Sequence, residues 1–269
     1  MSPLPLVLIP ARFESQRLPG KALADLGGMP MVVRCATNAA STGLRVCVCS
    51  DSPMILEACR GWSVDHLATP AFGTGTDRCT WAAQQLQAEW LVILQGDEPL
   101  ISPQALADFA QALAHLPTDS ILNGLSPLAV DAAQDPNNVK AVQRRRDGRI
   151  THLTRLPVLS ERQDQPGPGH LKQLGLYGAW IGSLERFAAL GANPLEQAEG
   201  IEMLRWLSAG LELQGVLLQT PAISVDTQTD LEAARRCWEQ SPGARRPGSP
   251  STAPTGPPGG AAAPCWDRR

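Results

Sequence analysis

Apolar positions in the first half of the chain gather into short runs of strand length. Leu4 to Ile9 (LPLVLI) and Trp90 to Leu94 (WLVIL) have no polar face, the pattern of strands covered on both sides in a parallel sheet. Leu44 to Cys49 and Val64 to Leu67 read as two further strands. Between them the period changes to that of a helix, over Pro30–Ala40, Pro53–Arg60 and about Asp77–Gln87. Pro30 and Pro53 suit a first turn, and Ser102-Pro103 supplies an N-cap and first residue for another helix. This alternation predicts an α/β fold with a parallel sheet and right-handed crossovers.

The second half is less regular. Val139–Gln143 and Arg149–Thr154 read as two strands joined at Asp147-Gly148, a strong hairpin signal. A flexible loop is expected over 163–169 (QDQPGPG), followed by an extended segment over Gly175–Ile181. Helical patterns return at Leu184–Leu190 and across Leu195–Ser208, then a late strand at Val216–Leu218 and a final helix at Thr227–Trp238. Thr227 and Asp230 give that helix a capped, dipole-matched start. From about Gln240 the composition turns to Pro, Gly, Ser, Ala and Thr, which cannot bury enough apolar area to fold. Residues 1–240 are therefore expected as one domain and 241–269 as a disordered tail.

Composition narrows the function classes. A net charge of -3 gives no reason to expect a nucleic-acid partner or an anionic membrane surface. No stretch reaches the roughly 18 apolar residues of a membrane span, and the N-terminus has no basic region of the secretory kind, so a cytoplasmic protein is expected. The 7 Cys show neither a CxxC pair nor zinc spacing and are read as free thiols. Cys47 and Cys49 alternate on one strand and should both face the core.

Four stretches carry chemistry. The first is Arg12, Arg17 and Lys21, just past the opening strand and beside Gly20. Cations there suit a polyanion such as a triphosphate, because open α/β sheets bind ligands beyond their strand ends; the alternative is a solvated basic loop. The second, Gly73 to Arg78, offers backbone N–H groups before a helix, although taken alone it is equally an ordinary turn and cap. The third, Gln95-Gly96-Asp97-Glu98-Pro99, sets carboxylates directly after a buried strand, which suits a phosphate-bound Mg²⁺; the alternative is a purely structural Asp-Glu-Pro turn. The fourth is Val225-Asp226-Thr227, where Asp226 is either a helix-start acid or a second metal carboxylate. Cationic loop, acids and open sheet are the parts of nucleotidyl or phosphoryl transfer. GxxxxGK[ST], GxGxxG and GxSxG are all absent, which disfavours a P-loop, a dinucleotide site and an α/β-hydrolase.

These stretches together resemble a known family. Ile9-Pro10-Ala11-Arg12-(x)2-Ser15-x-Arg17-Leu18-Pro19-Gly20-Lys21 is similar to the signature loop of the CMP-Kdo synthetases, which are 3-deoxy-manno-octulosonate (Kdo) cytidylyltransferases among the sugar nucleotidyltransferases. Gly75-Thr76-Asp77-Arg78 resembles that family's SGTDR loop and Gln95 to Pro99 its QGDEP motif. The likeness continues through Pro136-Asn137-Asn138-Val139-Lys140, Leu174-Gly175-Leu176-Tyr177, Pro194-Leu195-Glu196 and Val225-Asp226-Thr227, covering about Leu4 to Trp238.

The resemblance implies a Rossmann-like nucleotidyltransferase fold, a mostly parallel sheet flanked by helices with a smaller β-rich insertion in the second half. It implies transfer of CMP from CTP to a 3-deoxy-2-keto sugar acid for lipopolysaccharide biosynthesis, with Mg²⁺ on Asp97 and Asp226 and the triphosphate on Arg12, Arg17 and Lys21. Ala11, Ser15 and Gly96 belong to the implied substrate-binding set, and Thr74, Gly75, Thr76 and Arg78 to the cytosine or ribose. Gln95, Arg155, Gln173, Tyr177 and Glu202 would line the sugar-acid pocket, with Arg155 facing its carboxylate. A homodimer is implied as well. Three positions depart from the pattern: Gln173 stands where His is expected, Met203 where Gln is expected, and Thr154 where Ser is expected. The first two are expected in the sugar pocket. They leave open Kdo itself, an amino-substituted Kdo or another keto-sugar acid, and a non-catalytic CTP-binding paralogue.

Overall fold

All six residues of β1 (Leu6–Ala11) are buried, as a strand without a polar face requires. The computed structural model describes residues 4–15, 17–158, 169–221 and 223–240. The expected tail over 241–269 and nearly all of the expected loop over 163–169 lie outside them. β1 runs parallel to β2 (Val46–Ser50) on one side and to β4 (Trp90–Leu94) on the other, and β2 is parallel to β3 (His66–Ala68). Helices α1 (Met31–Ala40), α2 (Pro53–Gly61) and α3 (Gly75–Gln85) connect these strands.

Strand alternation sorts the core into two layers. Val7, Ile9, Val92 and Leu94 join one cluster with Val32, Val33 and Phe109; Phe109 comes from α4 (Pro103–Leu113). Leu6, Leu8, Leu91 and Ile93 join the other with Cys79, Ala82 and Ala83 of α3. Helices thus cover both faces of the sheet. Cys47 and Cys49 both fall in the second cluster, as their alternation predicts.

Beyond β4 the sheet changes character. Its order is β3-β2-β1-β4-β8-β5-β9, in which β8 (His170–Trp180) runs antiparallel to both β4 and β5 (Ile121–Leu128) while β9 (Leu213–Leu217) is parallel to β5. The expected hairpin is present as β6 (Lys140–Gln143) and β7 (Ile150–Thr154), and β6 extends from β8. β5 has no counterpart in the sequence reading. Asn123, Gly124, Ser126 and Pro127 mask it as turn, yet all but Pro127 are buried.

The single helix expected over Leu195–Ser208 is two, α6 (Pro194–Glu199) and α7 (Met203–Ser208). They break at Gly200, which ends α6 in the left-handed conformation with φ 62°, as a helix C-terminus favours. α5 (Ile181–Leu190) and α8 (Gln228–Gln240) complete the α-helices of the described residues.

Trp206 pins α7 to this frame: it is fully buried, its ring centroid lies 6.5 Å from that of Phe187, and its Nε1 donates to the Glu212 carbonyl at 2.7 Å. Trp206→Ala removes this anchor and leaves a cavity. It should cost about 3–5 kcal/mol, read as a fall in the urea midpoint with the m-value unchanged.

Candidate active site

The order β2-β1-β4 places a switch point at the carboxyl end of β1, where neighbouring connections leave in opposite directions and a crevice opens. A cleft of about 500 Å³ lies there. Sixteen of the seventeen residues expected in the site line it: Arg12, Arg17 and Lys21; Ala11 and Ser15; Thr74, Gly75 and Arg78; Gln95, Gly96 and Asp97; Arg155; Gln173 and Tyr177; Glu202 and Asp226.

Its charged centre joins three distant parts of the chain. Lys21 Nζ donates to Asp97 Oδ2 at 2.7 Å and to Asp226 Oδ1 at 2.9 Å. Arg17 pairs with the other oxygen of Asp226 at 3.0 Å and donates to Asn137 Oδ1 at 2.6 Å. The backbone fixes the approach of the acids, because the Val225 N–H donates to the Asp97 carbonyl at 2.8 Å. Asp230 Oδ2 in turn accepts from the backbone N–H groups of Asp226 and Thr227 at the start of α8. Burial pulls the Lys21 ammonium down, but Asp97 and Asp226 outweigh it and the pKa is raised. Burial pushes the Asp226 carboxyl up, but Lys21 and Arg17 outweigh that and hold it below its ordinary value.

Beside this centre lies Glu98, which the sequence reading left out of the site. It is buried, and its Oε1 accepts from the Gly175 N–H and the Ser224 hydroxyl, each at 2.8 Å. Burial raises its pKa, with the charge of Lys172 opposing. Gly175 is needed there: a Cβ on it would stand 2.8 Å from Cβ of Gln95. The adjacent letters Asp-Glu do not distinguish Asp97, which pairs with Lys21, from Glu98, which lines the same cleft but is tied to the Gly175 N–H and the Ser224 hydroxyl.

The Gly73–Arg78 stretch has divided duties. Thr74 caps α3, accepting from the Asp77 N–H at 3.1 Å. The Gly75 N–H and the Thr76 hydroxyl both donate to Glu202, at 3.3 and 2.5 Å. Thr76 is fully buried and, alone of the expected site residues, does not line the cleft; its hydroxyl supports Glu202. Burial raises the pKa of the Glu202 carboxyl despite these bonds, and burial likewise raises that of the Tyr177 phenol. Arg78 is buried and paired with Asp51 at 3.1 Å.

Arg155 is more committed than expected. Its guanidinium donates to the carbonyls of Glu199, Pro136 and Gly200, the first at 2.5 Å and the second at 2.8 Å. It fastens the α6–α7 break to the rim while lining the cleft. Met203 is fully buried in the core cluster behind Glu202 and is not part of the wall. Thr154 is also buried, within 3.4 Å of Glu199 Oε1. Of the three departures from the expected pattern, only Gln173 faces the cleft. Lys172 and Ser224 line it as well, as does Asn137 from the Pro136–Lys140 stretch.

Asp226 contributes stability above its ordinary carboxylate value of 3.8, and this is lost as pH falls through the lower folded value. Asp226→Asn should therefore be less stable than the parent at pH 7, by roughly 1 kcal/mol. Urea unfolding followed against pH should show the gap between the two proteins closing as pH falls below 3.8.

Comparison with known proteins agrees with this geometry. The family described as Cytidylyltransferase matches residues 6–213. A 3-deoxy-manno-octulosonate cytidylyltransferase of Polynucleobacter asymbioticus is 39% identical over 239 residues, covering 86% of this chain and 94% of its own. One from an Acidovorax species is 39% identical over 252 residues, covering 85% and 95%. The structure of a CMP:2-keto-3-deoxy-manno-octonic acid synthetase complexed with CTP superposes with a TM-score of 0.79 at 30% identity, covering 87% of this chain and 98% of the other. A Leptospira borgpetersenii cytidylyltransferase, 16% identical with a TM-score of 0.58, shares the fold. The chain belongs to the cytidylyltransferase family and has its Rossmann-like nucleotidyltransferase fold.

Proposed function

We propose that this chain transfers CMP from CTP to the anomeric hydroxyl of 3-deoxy-manno-octulosonate, releasing pyrophosphate. The observation that carries the reading is the convergence of Lys21, Asp97 and Asp226 in a cleft whose wall also holds Arg12 and Arg17. Arg12, Arg17 and Lys21 hold the triphosphate and offset charge on the departing pyrophosphate. Lys21 exchanges its two carboxylates for phosphate oxygens as CTP enters. Gly75 and Thr74 flank the nucleoside. Gln95, Gln173, Tyr177 and Glu202 form the sugar-acid wall, with the Tyr177 phenol kept neutral and able to donate.

The donor set fits Mg²⁺. Two carboxylates from distant parts of the chain already converge on one positive charge, and all-oxygen donors completed by phosphate suit this hard cation. Asp97 and Asp226 would hold it. When bound, it supplies Lewis-acid polarisation of the α-phosphate. Residues 1–240 acting as one domain, a homodimer and a cytoplasmic location belong to the same reading. Among the described residues no helix is long and apolar enough to cross a membrane.

Pyrophosphate release from CTP, Mg²⁺ and Kdo should be readily measured for the parent and fall about 100-fold or more in Asp97→Asn. Equal turnover by the two proteins would remove Asp97 from the chemistry. A second reading, a related keto-sugar acid in place of Kdo, rests on Gln173 alone; it predicts that another member of a sugar-acid panel outcompetes Kdo in kcat/KM.

A further inference from the structure

Gln173 does not stand alone in the cleft wall. Its Nε2 donates to Asn123 Oδ1 at 2.8 Å, and both residues are buried. Asn123 lies in β5 where its pairing with β8 slips register between Asn123 and Leu125. Its Nδ2 donates to the carbonyls of Leu174 and Leu176, each at 3.0 Å, and to that of Gly124 at 3.2 Å.

These partners fix both amides by chemistry. A backbone carbonyl only accepts, so the group that Asn123 turns toward Leu174 and Leu176 must be its NH2. Its Oδ1 is left for Gln173 and needs a donor, so Gln173 must turn its own NH2 inward. What remains for the cleft that Gln173 lines is Oε1, a neutral acceptor. The surrounding wall adds the carboxyl of Glu202. An acceptor presented in this way selects a donor on the ligand.

We propose that Asn123 is a positioning residue that locks the Gln173 amide so that its Oε1 reads a hydrogen-bond donor, a hydroxyl or an ammonium, on the sugar acid. The inference deepens the proposed function and rests on it. Asn123 touches no substrate. Without it the amide is free to rotate, and half of its orientations present the wrong group.

The test is a double-mutant cycle in pyrophosphate release, with KM measured separately for CTP and for the best sugar acid of a keto-sugar-acid panel. Asn123→Ala should raise the sugar-acid KM about 5–10-fold while the CTP KM changes less than about 2-fold. In a Gln173→Ala background the same change should add less than about 2-fold, because the residue it acts through is gone. Equal increases in both KM values, or an additive cycle, would overturn the proposal while leaving the cytidylyltransferase reading intact. Absence of turnover with every sugar acid of the panel would overturn both.

Asn123→Ala also strips donors from buried carbonyls, so Gln173→Met provides a variant that leaves Asn123 in place. The parent should disfavour at least one deoxy analogue of its sugar acid by about 10-fold, and Gln173→Met should reduce that preference below about 3-fold. Unchanged discrimination in Gln173→Met would also overturn the assignment.

Discussion

Two carboxylates facing one cleft repel each other, and the structure around this site is arranged so that Lys21 answers both. Its ammonium lies between Asp97 and Asp226, residues separated by more than half the described chain. Holding them there takes β1 and the turn at Gly20 to deliver Lys21, β4 to deliver Asp97, and the capped start of α8 to deliver Asp226. The Val225 to Asp97 backbone bond sets the spacing before any charge is considered. The same three side chains then define what can enter. In the proposed reaction a triphosphate would satisfy the ammonium, and Asp97 and Asp226 would hold a hard cation that offsets their charge.

The sheet serves this arrangement in two halves. The parallel strands β3, β2, β1 and β4 form the switch point and lead into the side of the cleft that holds Lys21 and Asp97. The antiparallel β8 carries Gln173, Gly175 and Tyr177 at successive odd positions along one face of the cleft. Gly175 lets Gln95 approach, and Glu98 ties that strand to the acidic loop through the Gly175 N–H. The helix pair α6–α7 closes the remaining side. There Arg205 pairs with Glu196 at 2.6 Å in a buried position and stacks over Phe187 at 4.4 Å, keeping Glu202 against the start of α3.

Much of this was legible in the sequence because it depends on local signals. Unbroken apolar runs announced the parallel strands, Ser102-Pro103 and Thr227 announced helix starts, and Asp-Gly announced the hairpin. The charged residues could be placed at element ends because those ends were visible. What escaped depends on partners distant in sequence. β5 is buried with polar and glycine residues inside it, and its Asn123 makes sense only once Leu174, Leu176 and Gln173 surround it. Thr76 and Met203 sit beside cleft residues in the sequence but are buried outside the cleft wall, a distinction set by tertiary packing. Arg155 was identified as a cleft residue, yet its carbonyl partners at Pro136, Glu199 and Gly200 could not be anticipated from spacing.

The central claim is that Lys21 holds the two acids in the nucleotide-free protein and would pass to the triphosphate, leaving Asp97 and Asp226 to hold a divalent cation. Calorimetric titration of the full chain with CTP, with and without Mg²⁺, tests this most directly. The account predicts that Mg²⁺ tightens CTP binding about 10-fold or more, and that Lys21→Met abolishes most of the affinity for CTP while strengthening binding of the cation alone. CTP affinity indifferent to Mg²⁺, together with unchanged cation binding in Lys21→Met, would contradict it.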